Sequence, residues 1–403
     1  MSSSNHDDQV IIIGAGIVGS SLAKRLSEKK VPVLLIDRNL SRQSLSGATG
    51  HAPGLVGQLS NVDTLTHLAK RSVVDYKTIP GAFTQVGGLE LALSRSAVGV
   101  IDNRVKLAKK HGLKARKITR DEARKLAPSF VRDDVKAGLH FPNDGTVDAI
   151  SIALHDRAVA RTQGARLLET SVTGLTRDER GVVNGIRTDK GNIRGAKVVI
   201  ATGIWTRQLS KSLPVYAVSH PYSLSLHRTP RAPSPFVRWP EQHVYGRDHG
   251  LMDGIGTYDH EGHPIDPDKL GADAYGPWDK SFDKMLARAY EVLPGHTSFA
   301  DCQPFNGMLT VTPDGIPFVG FVEDGLFCAV AVWVTHAGGS AALLAKVISG
   351  AQLNVQEKEM LGVLDPLRFE GEDPEKLKQN ALLAYSDILH TDKDAPKGRE
   401  HKL

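Results

Sequence analysis

The stretch Gln9-Val-Ile-Ile-Ile-Gly-Ala-Gly-Ile-Val-Gly19 decides how the rest of this 403-residue chain folds. Its apolar half is short, β-branched and closed by glycine, as a strand buried on both faces requires. Gly14, Gly16 and Gly19 then follow in the spacing G-x-G-x-x-G. The first glycine makes the tight turn, the second lets backbone approach a pyrophosphate, and the third lets the following helix pack close to the strand.

The segment from Ile17 to Lys30 reads as that helix, with Val18, Leu22 and Leu26 on one face and Lys29-Lys30 at the negative end of its dipole. A second apolar strand, Val33-Leu-Leu-Ile36, ends at Asp37, where a carboxylate can accept hydrogen bonds from a ribose. Arg38 follows it and softens the exclusion of a 2′-phosphate. Strand, glycines, helix, strand and acid stand in the order a dinucleotide-binding unit needs. These residues do not separate NAD from FAD.

Composition narrows the classes. With 40% hydrophobic and 24% charged residues the chain can bury a sizeable core. No apolar run approaches the roughly twenty residues of a membrane span, and the polar start Met1-Ser-Ser-Ser lacks a secretory apolar region. Two cysteines, Cys302 and Cys328, make no disulfide framework, and Cys328 within Leu326-Phe-Cys-Ala-Val-Ala reads as a small buried hydrophobe. The net charge of +5 is modest and scattered, which argues against a nucleic-acid partner. The chain is expected to be soluble and cytosolic in synthesis. Its end, His401-Lys402-Leu403, follows a polar tail from about Asp392 and resembles a peroxisomal address with a variant first position.

Downstream, residues 61 to 80 read as a helix, Val86–Leu93 as a strand entered through glycines, and Asp121–Leu126 as a helix started by Thr119. Residues 151 to 164 are helical, Arg166–Thr173 and Gly181–Thr188 read as strands with a turn between, and Lys197-Val-Val-Ile-Ala-Thr-Gly203 as a buried strand. From Leu213 to about His263 aromatics, histidines and prolines accumulate, which suggests an antiparallel sheet forming a second domain. The chain then returns with the apolar strand Gly325–Trp333, the turn Thr335-His-Ala-Gly-Gly339 and an apolar helix over 341–348. A glycine-rich helix start presents N–H groups suited to an anionic ring edge. The expected fold is therefore α/β: a Rossmann-type, glutathione-reductase-like domain from residues 1–85, 140–212 and 302–365, with an inserted antiparallel β-sheet substrate domain from 86–139 and 213–301. Residues 366–403 form a C-terminal extension with a polar tail.

These motifs, with Gly47-Ala-Thr-Gly-His51-Ala-Pro-Gly54, Gly145-Thr-Val-Asp148 and Thr312-Pro-Asp-Gly-Ile-Pro-Phe-Val-Gly320, resemble the D-amino-acid oxidase superfamily of FAD-dependent enzymes. Within it the chain is most similar to dimethylglycine and sarcosine dehydrogenases and oxidases. The resemblance implies FAD contacts from Gly14, Gly16, Ile17, Val18, Gly19, Asp37 and Arg38. It adds Ala48, Thr49, His51, Leu55, Val172, Thr202, Gly203 and Trp205, and, towards the C-terminus, Gly307, Asp314, Thr335, His336, Ala337 and Gly338. It implies that His51 carries the flavin covalently at the 8α carbon, since a neutral imidazole can attack the quinone-methide tautomer. Gly307 stands where a related branch has its cysteine tether.

The same resemblance assigns catalysis to His220 and Tyr258. A histidine titrating near neutrality can take or relay an amine proton, and a phenol can donate a hydrogen bond; the hydride would pass to flavin N5. Arg228, Arg231, Arg238, Arg247 or a lysine would hold a substrate carboxylate. His220, His227, His243, His249, His260 and His263 crowd one region, but their spacings match no common metal pattern, so no metal is expected. Larger relatives carry a folate-binding region, and this chain is expected to have no counterpart of it. The expected reaction is therefore oxidation of an N-methyl amino acid, iminium hydrolysis to formaldehyde, and reduction of O2 to peroxide. Two alternatives stay open: oxidation of a cyclic imino acid or a specialised metabolite's amine, and flavin binding without turnover. An NAD-dependent dehydrogenase leaves the His51 segment unexplained.

Overall fold

The computed structural model describes residues 8–41, 45–270, 275–295, 299, 302 and 304–389. The terminal His401-Lys402-Leu403 and the polar tail lie outside the described residues.

The strand Val10–Ile13 sits inside a six-stranded sheet, flanked in parallel by Val33–Asp37 and Lys197–Ile200. Arg166–Glu169 extends the sheet on one side, and Leu326–Val330 with the antiparallel Phe318–Glu323 on the other. Helices cover one face and a small three-stranded antiparallel sheet lies near the other, so Ile11, Ile12, Leu34 and Leu35 are fully buried. Each such side chain contributes about 1.5–3 kcal/mol by leaving water. The helix Ile17–Glu28 packs between Ala149–Thr162 and Ala337–Ile348. Asp156 joins two of these helices by accepting from Ser21 Oγ (2.6 Å) and Lys24 Nζ (3.0 Å).

The glycine spacing has a direct steric cause. Gly14 has φ +101°, and a Cβ on Gly19 would overlap the Gly14 carbonyl oxygen, so helix and turn approach as closely as backbone allows. The helix Arg120–Leu126 begins with a capping box between Thr119 and Glu122. The run expected as one strand over 166–173 divides instead: Arg166–Glu169 joins the parallel sheet, and Val172–Arg177 pairs with Val183–Thr188 in the separate three-stranded sheet.

A second sheet has eight strands in the order Phe305–Val311, Tyr216–Leu224, Asp253–Thr257, Val244–Asp248, Phe236–Trp239, Gly88–Ala92, Ala137–Phe141 and Arg116–Ile118. All its pairs are antiparallel except Phe236–Trp239 with Gly88–Ala92. Those two strands come from distant segments with no hairpin between them, so nothing obliges them to run in opposite directions. Phe305–Val311, grouped by sequence with the nucleotide domain, is hydrogen-bonded to Tyr216–Leu224 over seven residues. The region after 365 is more than a tail. Asp373 caps the helix Pro374–Ser386, which buries Leu377, Ala381 and Tyr385 against the second sheet.

Candidate active site

A cavity of about 940 Å3 runs from the fingerprint turn to the second sheet, at the upper end of the size of small-molecule sites. Gly14, Gly16, Ile17 and Val18 form its floor at one end, with Asp37 and Arg38 beside them. The Asp37 carboxylate accepts from the Ala15 N–H (2.8 Å) and the Asn39 N–H (2.9 Å), which fixes its orientation and leaves lone pairs for a sugar hydroxyl. Arg38 lies over the Trp205 ring at 4.2 Å. Thr49 Oγ1 accepts from the Ile17 N–H (3.2 Å) and stands over Gly16, where a Cβ would come within 3.1 Å of it. Ala48, Val172, Thr202 and Gly203 complete this end.

Gly19 does not line the cavity; its role is the helix–turn packing described above. Ala337 and Gly338 are corrected more substantially. Both are buried away from the cavity, and the Gly338 and Gly339 N–H groups donate to Tyr76 Oη (3.2 Å) and Ser72 Oγ (2.9 Å). The helix start is thus capped by hydroxyls of the Asp63–Tyr76 helix and is not open to an anionic ring edge. Thr335 and His336 do reach the cavity, Thr335 Oγ1 donating to the Leu55 carbonyl (3.1 Å). Asp314 stands at the wall, its carboxylate held by Arg368 through two bonds of 2.8 and 2.9 Å.

His51 ends the short helix Ala48–His51 where the two halves of the cavity meet. Its ring stacks on Tyr275 with centroids 3.9 Å apart. A Cβ on Gly307 would lie 3.7 Å from the His51 Cβ, so residues 51 and 307 face one another across the same spot. The donor set at the nucleotide end, the volume of the cavity and the imidazole facing Gly307 of the second sheet fit a dinucleotide with an extended ring system.

At the other end, the four arginine candidates separate. Arg228 and Arg231 are each ion-paired with Asp248 and Asp253, and Arg247 donates to the Pro53 and Val147 carbonyls. Arg238 alone of the four lines the cavity. Gly57 leaves room for it, since a Cβ there would stand 3.0 Å from both terminal nitrogens. Its nearest acid, Glu90 at 3.9 Å, is already gripped by Arg104 through bonds of 2.6 and 2.7 Å. Two guanidiniums share one carboxylate there, and the nearby buried Asp144 carboxyl is pushed up to about 7 by burial. This end of the cavity therefore carries excess positive charge suited to an anionic group.

His220 and Tyr258 both line the cavity with ring centroids 4.6 Å apart. His220 is not a base poised near neutrality: burial, and secondarily His260, push it down to about 3. Both ring nitrogens are engaged, Nε2 with Tyr245 Oη at 2.6 Å and Nδ1 with Tyr385 Oη at 2.8 Å. Burial raises the Tyr258 and Tyr245 phenols, so both stay protonated. No cluster of metal-ligating side chains occurs among the described residues.

Comparison with known proteins then supplies the family. Residues 9–347 match the family model of the FAD dependent oxidoreductases, DAO. The chain belongs to that family. FAD is accordingly its cofactor, and it is an FAD-dependent oxidoreductase. It is 25% identical over 331 residues to 4-methylaminobutanoate oxidase (formaldehyde-forming) of Paenarthrobacter nicotinovorans, covering 78% of this chain and 40% of that protein. With human mitochondrial dimethylglycine dehydrogenase it shares 26% identity over 392 residues, covering 90% and 44%. The chain thus spans under half the length of these relatives. Its fold is similar to the crystal structure of L-proline dehydrogenase from P. horikoshii, with TM-score 0.77, 22% identity, and 90% and 98% of the two chains covered.

Within this DAO-family site, sequence reasoning missed Tyr245 and Tyr385, which hold His220, and the Glu90–Arg104 pair beside Arg238. A signal for Tyr385 was present: Leu377, Ala381 and Tyr385 recur every fourth residue after Asp373-Pro374, the pattern of a capped amphipathic helix.

Proposed function

We propose that this flavoenzyme oxidises the C–N bond of a small N-methyl amino acid such as sarcosine or dimethylglycine. The observation that carries the proposal is the charge pattern of the cavity. One end presents Arg238 with unbalanced positive charge, and the adjoining walls present neutral rings of His220, Tyr245 and Tyr258. A zwitterion fits that pattern, its carboxylate at the guanidinium and its amine among uncharged hydrogen-bonding groups. A histidine held neutral does not repel the ammonium form. FAD, when bound, supplies the acceptor for the two electrons and the hydrogen of the oxidised carbon. The protein's own groups orient the amine, take its proton and exclude water until the iminium forms. Hydrolysis in water then gives formaldehyde and the demethylated amine, with O2 as the electron acceptor.

His51 supports a covalent link by its place on the cavity wall opposite Gly307. The terminal His401-Lys402-Leu403 would direct a peroxide-forming enzyme to peroxisomes.

A panel of sarcosine, dimethylglycine, 4-methylaminobutanoate, proline and glycine, added anaerobically to the holoprotein, tests the substrate. Bleaching by the N-methyl compounds with formaldehyde in equal amount is expected. Bleaching by proline alone, without formaldehyde, would replace this reading with a cyclic imino acid oxidase. Acid precipitation tests the tether: colour should stay in the pellet for the native protein and move to the supernatant for His51→Ala.

A further inference from the structure

The hydrogen bonds of His220 continue beyond the cavity. Tyr385 Oη, 2.8 Å from His220 Nδ1, is also 2.9 Å from His260 Nε2, and His260 Nδ1 lies 2.8 Å from the Glu261 carbonyl oxygen. Four side chains from two strands, a loop and the C-terminal helix thus form one unbroken chain of bonds. It starts at Tyr245 on the cavity wall and ends at His260, which is 9% exposed.

The outer end sets the direction of every bond. A carbonyl oxygen only accepts, so His260 Nδ1 carries the hydrogen and Nε2 of the neutral ring is the acceptor. Tyr385 therefore donates to His260 and must accept from His220 Nδ1–H. His220 Nε2 is then the acceptor for the Tyr245 hydroxyl. Tyr245 is left with oxygen lone pairs towards the cavity and can accept, but not donate, there.

We propose that Tyr245, His220, Tyr385 and His260 form a relay that carries the substrate amine's proton out of the cavity to His260, a mostly buried ring with a small exposed edge. The proposal rests on the amine-oxidising function above. The N–H bond of the bound ammonium breaks as an O–H bond forms at Tyr245. The former Tyr245 proton moves to His220 Nε2, the Nδ1 proton of His220 to Tyr385, and the former Tyr385 proton to His260 Nε2. The amine loses one proton, His260 becomes an imidazolium, and no electrons are transferred. His220 gains a proton at one nitrogen as it loses one at the other, so it changes tautomer without standing as a cation. This accounts for a histidine that works in a site where burial keeps it neutral. Around His260, Asp259 and Arg288 form an ion pair of 2.8 Å and His263 lies with its ring centroid 5.6 Å away. Burial lowers His260, so a proton delivered there passes on to solvent at neutral pH. Tyr385 and His260 are positioning residues in this scheme, since they act through Tyr245 and His220.

Two measurements test the relay. The first needs no substrate: nitrogen-15 NMR of histidine-labelled holoprotein should show both His220 and His260 as Nδ1–H tautomers. An Nε2–H tautomer at either position would overturn the relay, whatever the enzyme's substrate. The second follows anaerobic flavin bleaching by sarcosine together with proton release to phenol red in weak buffer. In the native protein the two should coincide; in Tyr385→Phe and His260→Gln both should slow by at least about tenfold. His260→Gln keeps an acceptor for Tyr385, so it tests proton transfer with the network intact. Bleaching and proton release at the native rates in His260→Gln would overturn the relay. Failure of sarcosine and dimethylglycine to bleach the native protein would instead overturn the proposed function, and the tautomers would still decide the relay's polarity.

Discussion

The two ends of the cavity are built in opposite ways. At the nucleotide end, most contacts come from short local motifs at residues 14–18, 37–49 and 202–205, on a sheet whose interior is hydrocarbon, with Ile11, Ile12, Leu34 and Val199 fully buried. At the substrate end, the sheet buries titratable and hydroxylated rings, His220, Tyr222, Tyr245 and Tyr385 among them, each bonded to a partner far along the chain. The first end relies on backbone shape, which a short motif can encode. The second relies on polar groups that satisfy one another only after several segments have come together.

The largest break in this contrast should come from Gly19→Val. Its side chain would overlap the Gly14 carbonyl, and no flavin-loaded protein should be recovered. Normal flavin content in the purified variant would show that the turn has slack the backbone does not suggest.

Acid should act next, and mainly on the substrate end. His220, His249 and His336 are held at about 3, 4 and 4 by burial, against an ordinary 6.5. Below that value the unfolded chain binds three protons that the native state refuses, so stability is complete above about 6.5 and is lost as pH falls towards 4. Asp144, pushed up to about 7, works oppositely, because the native state binds its proton between about 4 and 7. The balance is a loss of about 3–4 kcal/mol between pH 7 and pH 5. Denaturant titrations at the two pH values measure it, and equal stability would mean that these histidines charge without unfolding.

Tyr245→Phe removes the only hydroxyl bonded to His220 Nε2 among the described residues. Flavin should stay bound while the rate of bleaching falls by about 10²-fold in stopped-flow traces. Loss of flavin instead would mean that the two ends are not separable in this way.

The smallest change is expected for Arg238→Met, about ten- to a hundredfold in KM for sarcosine. An amine without a carboxylate, such as dimethylamine, should lose little. Equal losses for both compounds would remove Arg238 from the role of anion anchor.

How much was legible follows the same division. Gly14, Gly16 and Asp37 were read from the local fingerprint, Thr49 and Trp205 through the family resemblance, and all five line the cavity. Ala337 and Gly338 misled because a glycine-rich helix start looks open in sequence, and the Ser72 and Tyr76 hydroxyls that close it belong to another helix. Among the arginines, sequence offered four equal candidates. Asp248 and Asp253 removed two, and backbone carbonyls at 53 and 147 a third.

By itself the sequence determined the Rossmann-type turn and the family, because glycine spacing and strand–helix alternation act through neighbours a few residues apart. Only the tertiary structure decided which cation faces the cavity and what His220 can do. Those properties depend on burial and on partners such as Tyr385, 165 residues away, and both exist only once the helix Pro374–Ser386 has closed against the second sheet.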